Sequence, residues 1–328
     1  MGLRTMSIIA IFGAIMVAAL AILALFRSDS LRLSLSDLRG MYSTPQSRYT
    51  QLSGVSIHYQ DEGAGFPIVL VHGSEGTLRT WDPVVAAFKD SYRLIRLELP
   101  GRGLSAAAGP GEVGDDVTLH GMVIELLDQL GVEGPFHVIG QSSGGTVATR
   151  VAAFYPERVE KVVVINMPSA PVSVPRSARP PDVRRAMMIN DDMLQFRTEA
   201  FWLTYYRYLW GEPARLTDEL IELMYDQNRR VREPLARPLI PANFSPEQAD
   251  TNLGNVAAPV LVIWGMADPV LPPEQLDELT KRFTQAEIEI FRMPDTGHFP
   301  VLEAPELLIP PIREFLAAPA ETDDEVGP

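Results

Sequence analysis

Short apolar runs alternate with amphipathic segments along most of this 328-residue chain. The runs FPIVLV, FHVIG, VVVIN and VLVIWG contain almost only apolar residues, many of them β-branched. A strand without polar alternation is typical of a sheet that is buried on both faces, as parallel sheets are. Because helical spacing separates these runs, the sequence predicts an α/β fold, a mostly parallel sheet with helices on both faces.

The expected sheet has eight strands. Residues 48–63 alternate apolar and polar side chains around Gly54, which predicts a hairpin of two strands. Six further strands are expected in FPIVLV, YRLIRLEL, FHVIGQ, VEKVVVINM, APVLVIWG and AEIEIFRM. Among the helices, one is expected to open at Asp115 and Asp116, and the last one to be kinked or split at its two consecutive prolines, Pro310 and Pro311.

The N-terminus carries a second strong signal. Residues 7–26 hold no charge, and a helix of that length spans about 30 Å, the hydrocarbon thickness of a bilayer. We expect a retained single-pass membrane anchor with the body on the periplasmic or extracytoplasmic side. A cleaved signal peptide is the alternative, although its apolar core is normally only about 7–15 residues long.

These signals divide the chain into six segments. We expect an anchor (1–26), a polar stem (27–47), the first part of the α/β core (48–168), a helical block without a strand (169–251), the second part of the core (252–319) and an acidic tail (320–328). The helical block is rich in Trp, Tyr and Phe. These aromatic residues either pack against the sheet domain only or also form an apolar lid over a pocket.

The sequence GQSSG at residues 140–144 lies between a predicted strand and a predicted helix. In G-x-S-x-G the serine sits on a sharp turn, and the glycines relieve the steric clash that such a turn creates. Ser142 is therefore the candidate nucleophile. The N–H of Ser143, at the start of the helix, is a candidate donor to an oxyanion.

A serine hydroxyl needs a base, and five histidines are available. Only His298 lies in a loop after the last predicted strand, so elimination selects it. Asp268, after the preceding strand, is the favoured carboxylate to orient the imidazole. Asp295 is the rival, but its closeness to His298 in sequence disfavours contact. The second oxyanion donor is expected from the loop HGSEG at 72–76, at Ser74 or, as next choice, Glu75.

From about residue 48 to 319 the chain resembles the α/β-hydrolase family of serine type. The matching motifs are His-Gly at 72–73, LPGRGLS at 99–105, GQSSGG at 140–145, Asp268, and GHFP at 297–300 with Glu303 and Pro305. The resemblance implies a helical cap inserted after the sixth strand. It is specific for the fold and for catalytic competence, and not for a substrate.

Together these features predict a membrane-anchored serine hydrolase that cleaves carboxylic esters of apolar, small-molecule acyl substrates through an acyl-enzyme. A carbon–carbon bond hydrolase acting on ring-fission diketones would use the same three residues. A protein that keeps the fold but only binds ligands is the third reading. The sequence leaves the oligomeric state open.

Composition narrows the chemistry further. The chain has no cysteine, which excludes disulfides, thiolate metal ligands and a cysteine nucleophile. A net charge of −14 argues against binding nucleic acid through a basic surface. We expect neither a metal nor an organic cofactor, since serine, histidine and aspartate would supply nucleophile and base.

Overall fold

A computed structural model describes residues 3–172, 174–231, 233–241 and 245–317, and the side chains from residue 10 onward. Its centre is one eight-stranded sheet with the order β1-β2-β4-β3-β5-β6-β7-β8. The strands are β1 Arg48–Leu52, β2 Val55–Gly63, β3 Phe66–Val71, β4 Tyr92–Leu97, β5 Phe136–Gln141, β6 Val159–Ile165, β7 Val260–Gly265 and β8 Ile288–Met293. Strand β2 is antiparallel to both of its neighbours, and all other pairs are parallel, so the predicted sheet is confirmed.

The predicted hairpin connects β1 to β2 through a two-residue turn. Ser53 and Gly54 both have positive φ, 47° and 83°. This backbone matches the type I′ turn, whose twist suits a tight hairpin.

Helices cover both faces of the sheet and bury alternate residues of each central strand. On one face, Val69, Val138 and Val164 pack with α4 Leu119–Gln129, α5 Ser143–Phe154, α9 Pro246–Gly254 and α10 Glu274–Thr280. On the other face, Ile68 and Ile139 pack with α3 Asp82–Phe88, α11 Pro300–Glu303 and α12 Pro305–Ala317. Burial on both faces explains why these strands show no polar alternation.

Two helix boundaries differ from the sequence prediction. Helix α4 begins at Leu119 rather than at Asp115 and Asp116, because the Thr118 hydroxyl accepts the N–H of Gly121 at 3.1 Å and caps the helix there. Helix α12 continues through Pro310 and Pro311 and is not split. The carbonyls that lose an intrahelical donor belong to residues 306 and 307, which are exposed, so water can satisfy them.

The chain between β6 and β7 forms helices and, in its described residues, no strand. These are α6 Pro181–Met187, a π-helical segment Met188–Leu194, α7 Glu199–Leu209, α8 Asp218–Asn228 and α9. Gln195, with a left-handed φ of 54°, ends the π-helical segment and separates it from α7. Val183, Phe201, Trp202 and Tyr206 form a separate apolar core here. Helix α9 crosses the expected boundary at 251/252 and packs on α5.

At the N-terminus, helix α1 Leu3–Arg27 is long enough and apolar enough to cross a membrane. None of the residues in its most apolar stretch, Ala10–Arg27, is buried. The stem that follows is folded onto the body rather than extended. It contains α2 Leu35–Tyr42, which starts with a capping box between Ser34 and Asp37. The Tyr42 hydroxyl donates to Asp226 Oδ2 at 2.6 Å. The predicted acidic tail, 320–328, lies outside the described residues.

Candidate active site

Ser142 stands at the turn between β5 and α5 with φ 51° and ψ −127°, a conformation that few non-glycine residues adopt. The two glycines of the motif make this turn possible. A Cβ on Gly140 would lie 2.4 Å from the carbonyl oxygen of Gly144, and a Cβ on Gly144 would lie 2.2 Å from that of Val71. The backbone therefore holds the Ser142 hydroxyl away from the chain at the C-terminal edge of the sheet.

His298 follows β8 and reaches the same edge. Its Nε2 lies 3.2 Å from Ser142 Oγ, and its backbone N–H donates to the carbonyl of Leu209 at 2.8 Å. Its Nδ1 lies 2.6 Å from Asp268 Oδ2. A carboxylate only accepts, so Nδ1 carries the proton and Nε2 is left to accept from the serine. This is the tautomer that a general base requires.

Asp268 follows β7 and is buried. Its Oδ1 accepts the backbone N–H groups of Val270 and Leu271 at 2.8 and 3.0 Å. Burial by itself raises the pKa of the Asp268 carboxyl, but the charge and hydrogen bond of His298 and these two backbone donors outweigh burial and hold the pKa below its ordinary value. The carboxylate is thus kept ionised beside the imidazole.

The competing candidates lie elsewhere. The side chain of Asp295 is exposed. The His58 ring is hydrogen-bonded to the side chains of Glu98 and Ser47. The His72 ring is hydrogen-bonded to the carbonyl of Gly73 and the N–H of Leu99. His120 stacks on Phe154 and His137 packs against Phe66. Of the five histidines, the structure brings only His298 within hydrogen-bonding distance of Ser142.

Asn166, at the end of β6, is a residue that sequence reasoning missed. It is fully buried with φ 42°, and its Nδ2 donates to Asp268 Oδ2 at 2.6 Å. Its Oδ1 accepts the N–H of Gly265 at 2.9 Å. Asn166 therefore ties β6 to the end of β7 and fills the remaining hydrogen-bonding position on the Asp268 carboxylate. The only sequence signal was a polar residue that directly follows the apolar run VVVI at the end of a strand.

The two predicted oxyanion donors lie beside Ser142. The Ser74 and Ser143 hydroxyls are 2.7 Å apart, which places the loop after β3 in contact with the start of α5. In the described part of the chain, neither backbone N–H donates to a protein acceptor. Neither N–H is therefore committed to another group of the described chain, and their role as oxyanion donors stays a prediction. Glu75, the alternative donor, lines the same cavity.

A cavity of about 290 Å³ opens over these groups. Apart from the polar groups of residues 73–75, Ser142 and His298, its walls are apolar and aromatic, from Val172, Tyr205, Leu209, Val270 and Phe299. Tyr205 and Leu209 come from α7, so the helical segment between β6 and β7 forms part of the wall. Within the described ranges, no group of three or more His, Asp or Glu side chains is arranged to hold a metal ion.

Comparison with known proteins identifies the family. The family model described as alpha/beta hydrolase fold matches residues 67–305, which is most of the chain. The chain belongs to the α/β-hydrolase fold family. As in the sequence prediction, this α/β-hydrolase has a strand, a sharp turn and a helix around its candidate nucleophile.

Relatives of this α/β-hydrolase cleave different bonds. Pimeloyl-acyl-carrier-protein methyl ester esterase of Nitrosomonas europaea is 28% identical over 258 residues, 77% of this chain and 97% of the esterase. A 2-hydroxy-6-oxononadienedioate hydrolase of Cupriavidus pinatubonensis is 28% identical over 255 residues, 74% of this chain and 84% of the relative.

Among solved structures, 2-hydroxy-6-oxo-6-phenylhexa-2,4-dienoate hydrolase of Rhodococcus sp. superposes with a TM-score of 0.65 at 19% identity, covering 83% of this chain and 98% of that one. At this identity the likeness concerns the fold alone. The family match and these relatives together identify the chain as a hydrolase of the α/β-hydrolase kind.

Proposed function

We propose that this protein is a membrane-anchored serine hydrolase that cleaves carboxylic esters of apolar acyl compounds. One observation carries the proposal: two hydrogen bonds through His298 connect Ser142 to Asp268. Ser142 Oγ lies 3.2 Å from His298 Nε2, and His298 Nδ1 lies 2.6 Å from Asp268 Oδ2. Nucleophile and base are within reach of each other, and a third group orients the base.

The proposed reaction proceeds in two halves. Ser142 Oγ attacks the ester carbonyl while its proton moves to His298 Nε2, and Asp268 stabilises the imidazolium. The N–H groups of Ser74 and Ser143 bind the oxyanion of the tetrahedral intermediate. The alkoxide leaves as an alcohol with the proton from His298. Water, deprotonated by the same imidazole, then attacks the acyl carbonyl, and the acid leaves as Ser142 Oγ takes back a proton from His298.

The cavity supports an apolar substrate. Val172, Leu209, Val270 and Phe299 provide hydrocarbon walls around Ser142, and an acyl chain would gain burial there. We propose that residues 169–251 act as the cap of this cavity, since α7 contributes to its wall.

We also propose that α1 anchors the protein in the membrane with the body on the periplasmic or extracytoplasmic side. Its apolar window, in which no residue is buried, supports the anchoring.

The decisive experiment is covalent labelling with a fluorophosphonate probe. The intact chain should be labelled, and Ser142→Ala should lose the label completely, because the probe reacts only with an activated serine. Ser91→Ala is the matched control, since Ser91 is exposed at the opposite edge of the sheet, before β4. Folded protein that takes up no label, or a label that survives Ser142→Ala, would refute the proposal.

Carbon–carbon bond hydrolysis of a ring-fission diketone is the second candidate. The name of the Cupriavidus relative favours it. A substrate panel separates the two reactions: p-nitrophenyl esters of increasing chain length are set against a 2-hydroxy-6-oxo-dienoate. We expect ester turnover to exceed diketone cleavage by a factor of ten or more. The reverse order would select the carbon–carbon hydrolase.

A further inference from the structure

The N-terminal helix α1 joins the body at one site on the helical segment between β6 and β7. Arg27 Nε donates to the carbonyl of Met193 at 3.0 Å, and the Phe26 and Phe196 rings are 5.7 Å apart. Just beyond the helix, Arg32 donates to the carbonyl of Gln195 at 2.7 Å. Contacts on both sides of the helix end fix where α1 leaves the protein.

This junction sets the depth of the π-helical segment relative to a bilayer. The apolar residues of α1 end at Phe26, and Arg27 is the first charged residue after them. If α1 spans the hydrocarbon layer, Arg27 lies in the headgroup layer, which is about 5–8 Å thick on each side. Met193 is hydrogen-bonded to Arg27 and therefore lies at the same depth.

The side chains at that depth suit a membrane interface. Met188 and Met193 are 51% and 53% exposed, and Ile189 is 39% exposed. Arg184 and Arg185 are exposed on the preceding turns. We call these five residues the interfacial surface. Apolar side chains flanked by arginines are typical of helices that lie in the headgroup layer of anionic membranes.

Both aspartates of the π-helical segment are paired with arginines. Asp191 pairs with Arg197 at 2.9 Å, and Asp192 pairs with Arg176 at 2.6 Å. The chain as a whole carries a net charge of −14, so an anionic bilayer repels most of its surface. The interfacial surface is thus the face on which the body can approach the lipid headgroups.

We propose that the interfacial surface is embedded in the headgroup layer of a phospholipid bilayer, which docks the helical segment between β6 and β7 against the membrane. Helix α7 follows this surface in the chain and lines the cavity with Tyr205 and Leu209. The cavity would then receive lipid-soluble esters from the bilayer. This inference rests on the proposed membrane anchoring and specifies the source of the substrate.

The absence of cysteine allows a site-specific test on the full chain. Met188→Cys and Met193→Cys are each labelled with an environment-sensitive fluorophore, and the proteins are reconstituted in vesicles of phosphatidylcholine and phosphatidylglycerol. Phe154→Cys is the matched control. Phe154 is 57% exposed and ends α5, about 18 Å along that helix from Ser142. Circular dichroism checks that each variant is folded.

We expect blue-shifted emission at positions 188 and 193, and quenching by spin-labelled lipids at least threefold stronger than at position 154. If the protein floats with the vesicles but all three positions behave as in water, the docking inference is wrong while the anchor stands. If the full chain does not float with the vesicles, the anchor and the inference are both wrong. Neither outcome affects fluorophosphonate labelling, which tests the hydrolase proposal separately.

Discussion

At the scale of single residues, the buried Asp268 depends on the donors around it. Four hydrogen bonds reach its two oxygens, from His298, Asn166, Val270 and Leu271. Only the bond from His298 has a proposed part in the reaction. The other three hold the carboxylate in the orientation that His298 needs, so they are positioning contacts.

Replacing Asn166 tests this support directly. Asn166→Asp keeps the acceptor for Gly265 N–H and a side chain that tolerates positive φ, but it turns the donor to Asp268 into a second carboxylate. A lost hydrogen bond to a charged group costs about 1.5–3 kcal/mol, so fluorophosphonate labelling at pH 8 should slow by roughly 10- to 100-fold.

The pH dependence separates a positioning role from simple destabilisation. The introduced carboxyl regains a donor when it is protonated, so the deficit relative to the parent should shrink toward acid pH. Asn228→Asp is the control, because among the described residues the Asn228 side chain donates only to the Met224 carbonyl in its own helix. An equal deficit at every pH, or no deficit at all, would contradict the role assigned to Asn166.

The sequence pointed to Ser142, Asp268 and His298 because each lies in a turn or loop after a predicted strand, and parallel strands end at one edge of the sheet. Their catalytic roles stay predictions until labelling is measured. Asn166 could not be found in this way. Its contact with Asp268 joins positions 102 residues apart and depends on β6 lying beside β7, which strand patterns alone do not reveal.

At the scale of elements, the end of α7 and the His298 loop are joined by a buried carboxylate. Glu303 accepts the N–H of Gly297 through Oε2 and the N–H of Glu212 through Oε1, both at 2.8 Å. The backbones are so close that a Cβ on Gly297 would lie 2.1 Å from the Leu209 carbonyl oxygen. Glu303 thus fixes the position of His298 relative to the cavity wall.

Glu303→Gln should therefore cost more than an ordinary surface change. The amide group presents N–H donors to one of the two backbone N–H groups, which leaves a buried donor unsatisfied. We expect the free energy of unfolding to fall by about 1–3 kcal/mol, with slower fluorophosphonate labelling.

Glu306→Gln is the matched control for this measurement. Its side chain is 58% exposed and pairs with Arg215 at the surface, so the change should stay within about 0.5 kcal/mol. Urea unfolding in detergent compares the two variants. If both lose the same stability and label equally fast, Glu303 has no special positioning role.

Helix boundaries show the limit of sequence patterns at this scale. Acidic residues are common in the first turn of a helix, which led to the wrong start at Asp115 and Asp116. The actual start depends on which side chain bonds the free N–H groups, here Thr118. The prolines in α12 are tolerated because the residues whose carbonyls lose a donor, 306 and 307, are exposed, and their exposure follows only from packing.

At the scale of the whole molecule, three histidines are kept neutral by burial. Burial lowers the pKa of His72, His120 and His137 to about 4 in each case. The positive charge of Arg150 adds to this effect at His120, and that of Lys161 at His137. In the unfolded chain the same groups titrate near pH 6.5.

The sign of the resulting pH dependence follows from proton counts. Between pH 4 and 6.5 the unfolded chain binds protons that the folded chain does not, so stability rises with pH in this window. Each histidine contributes up to about 1.4 kcal/mol per pH unit. We expect the free energy of unfolding to fall steeply as the pH drops from 6.5 to 4.

Urea titrations in detergent at several pH values measure this slope. Because glutamine cannot take up a proton, His137→Gln should reduce the slope of unfolding free energy against pH by up to about 1.4 kcal/mol per pH unit. Gln129→His, at an exposed position, should leave that slope nearly unchanged. Stability that is constant between pH 4 and 6.5 would contradict neutral burial of the three histidines.

The overall architecture was predictable because its strand patterns reflect burial on both faces. The docking of the stem was not. Its polar composition indicates a linker, yet Leu38 is fully buried and Tyr42 bonds Asp226. Such contacts join segments that are far apart in the chain, and periodicity within one segment carries no information about them.

The hydrogen bond between Leu209 and His298 limits how this enzyme can be re-engineered. A helical block that rests on the sheet domain only through side chains could be exchanged between relatives as a module. Here the backbone from Leu209 to Gly211 is also part of the support of the proposed base. A chimera that takes residues 169–251 from another hydrolase must therefore preserve this segment, or it will alter reactivity together with substrate preference.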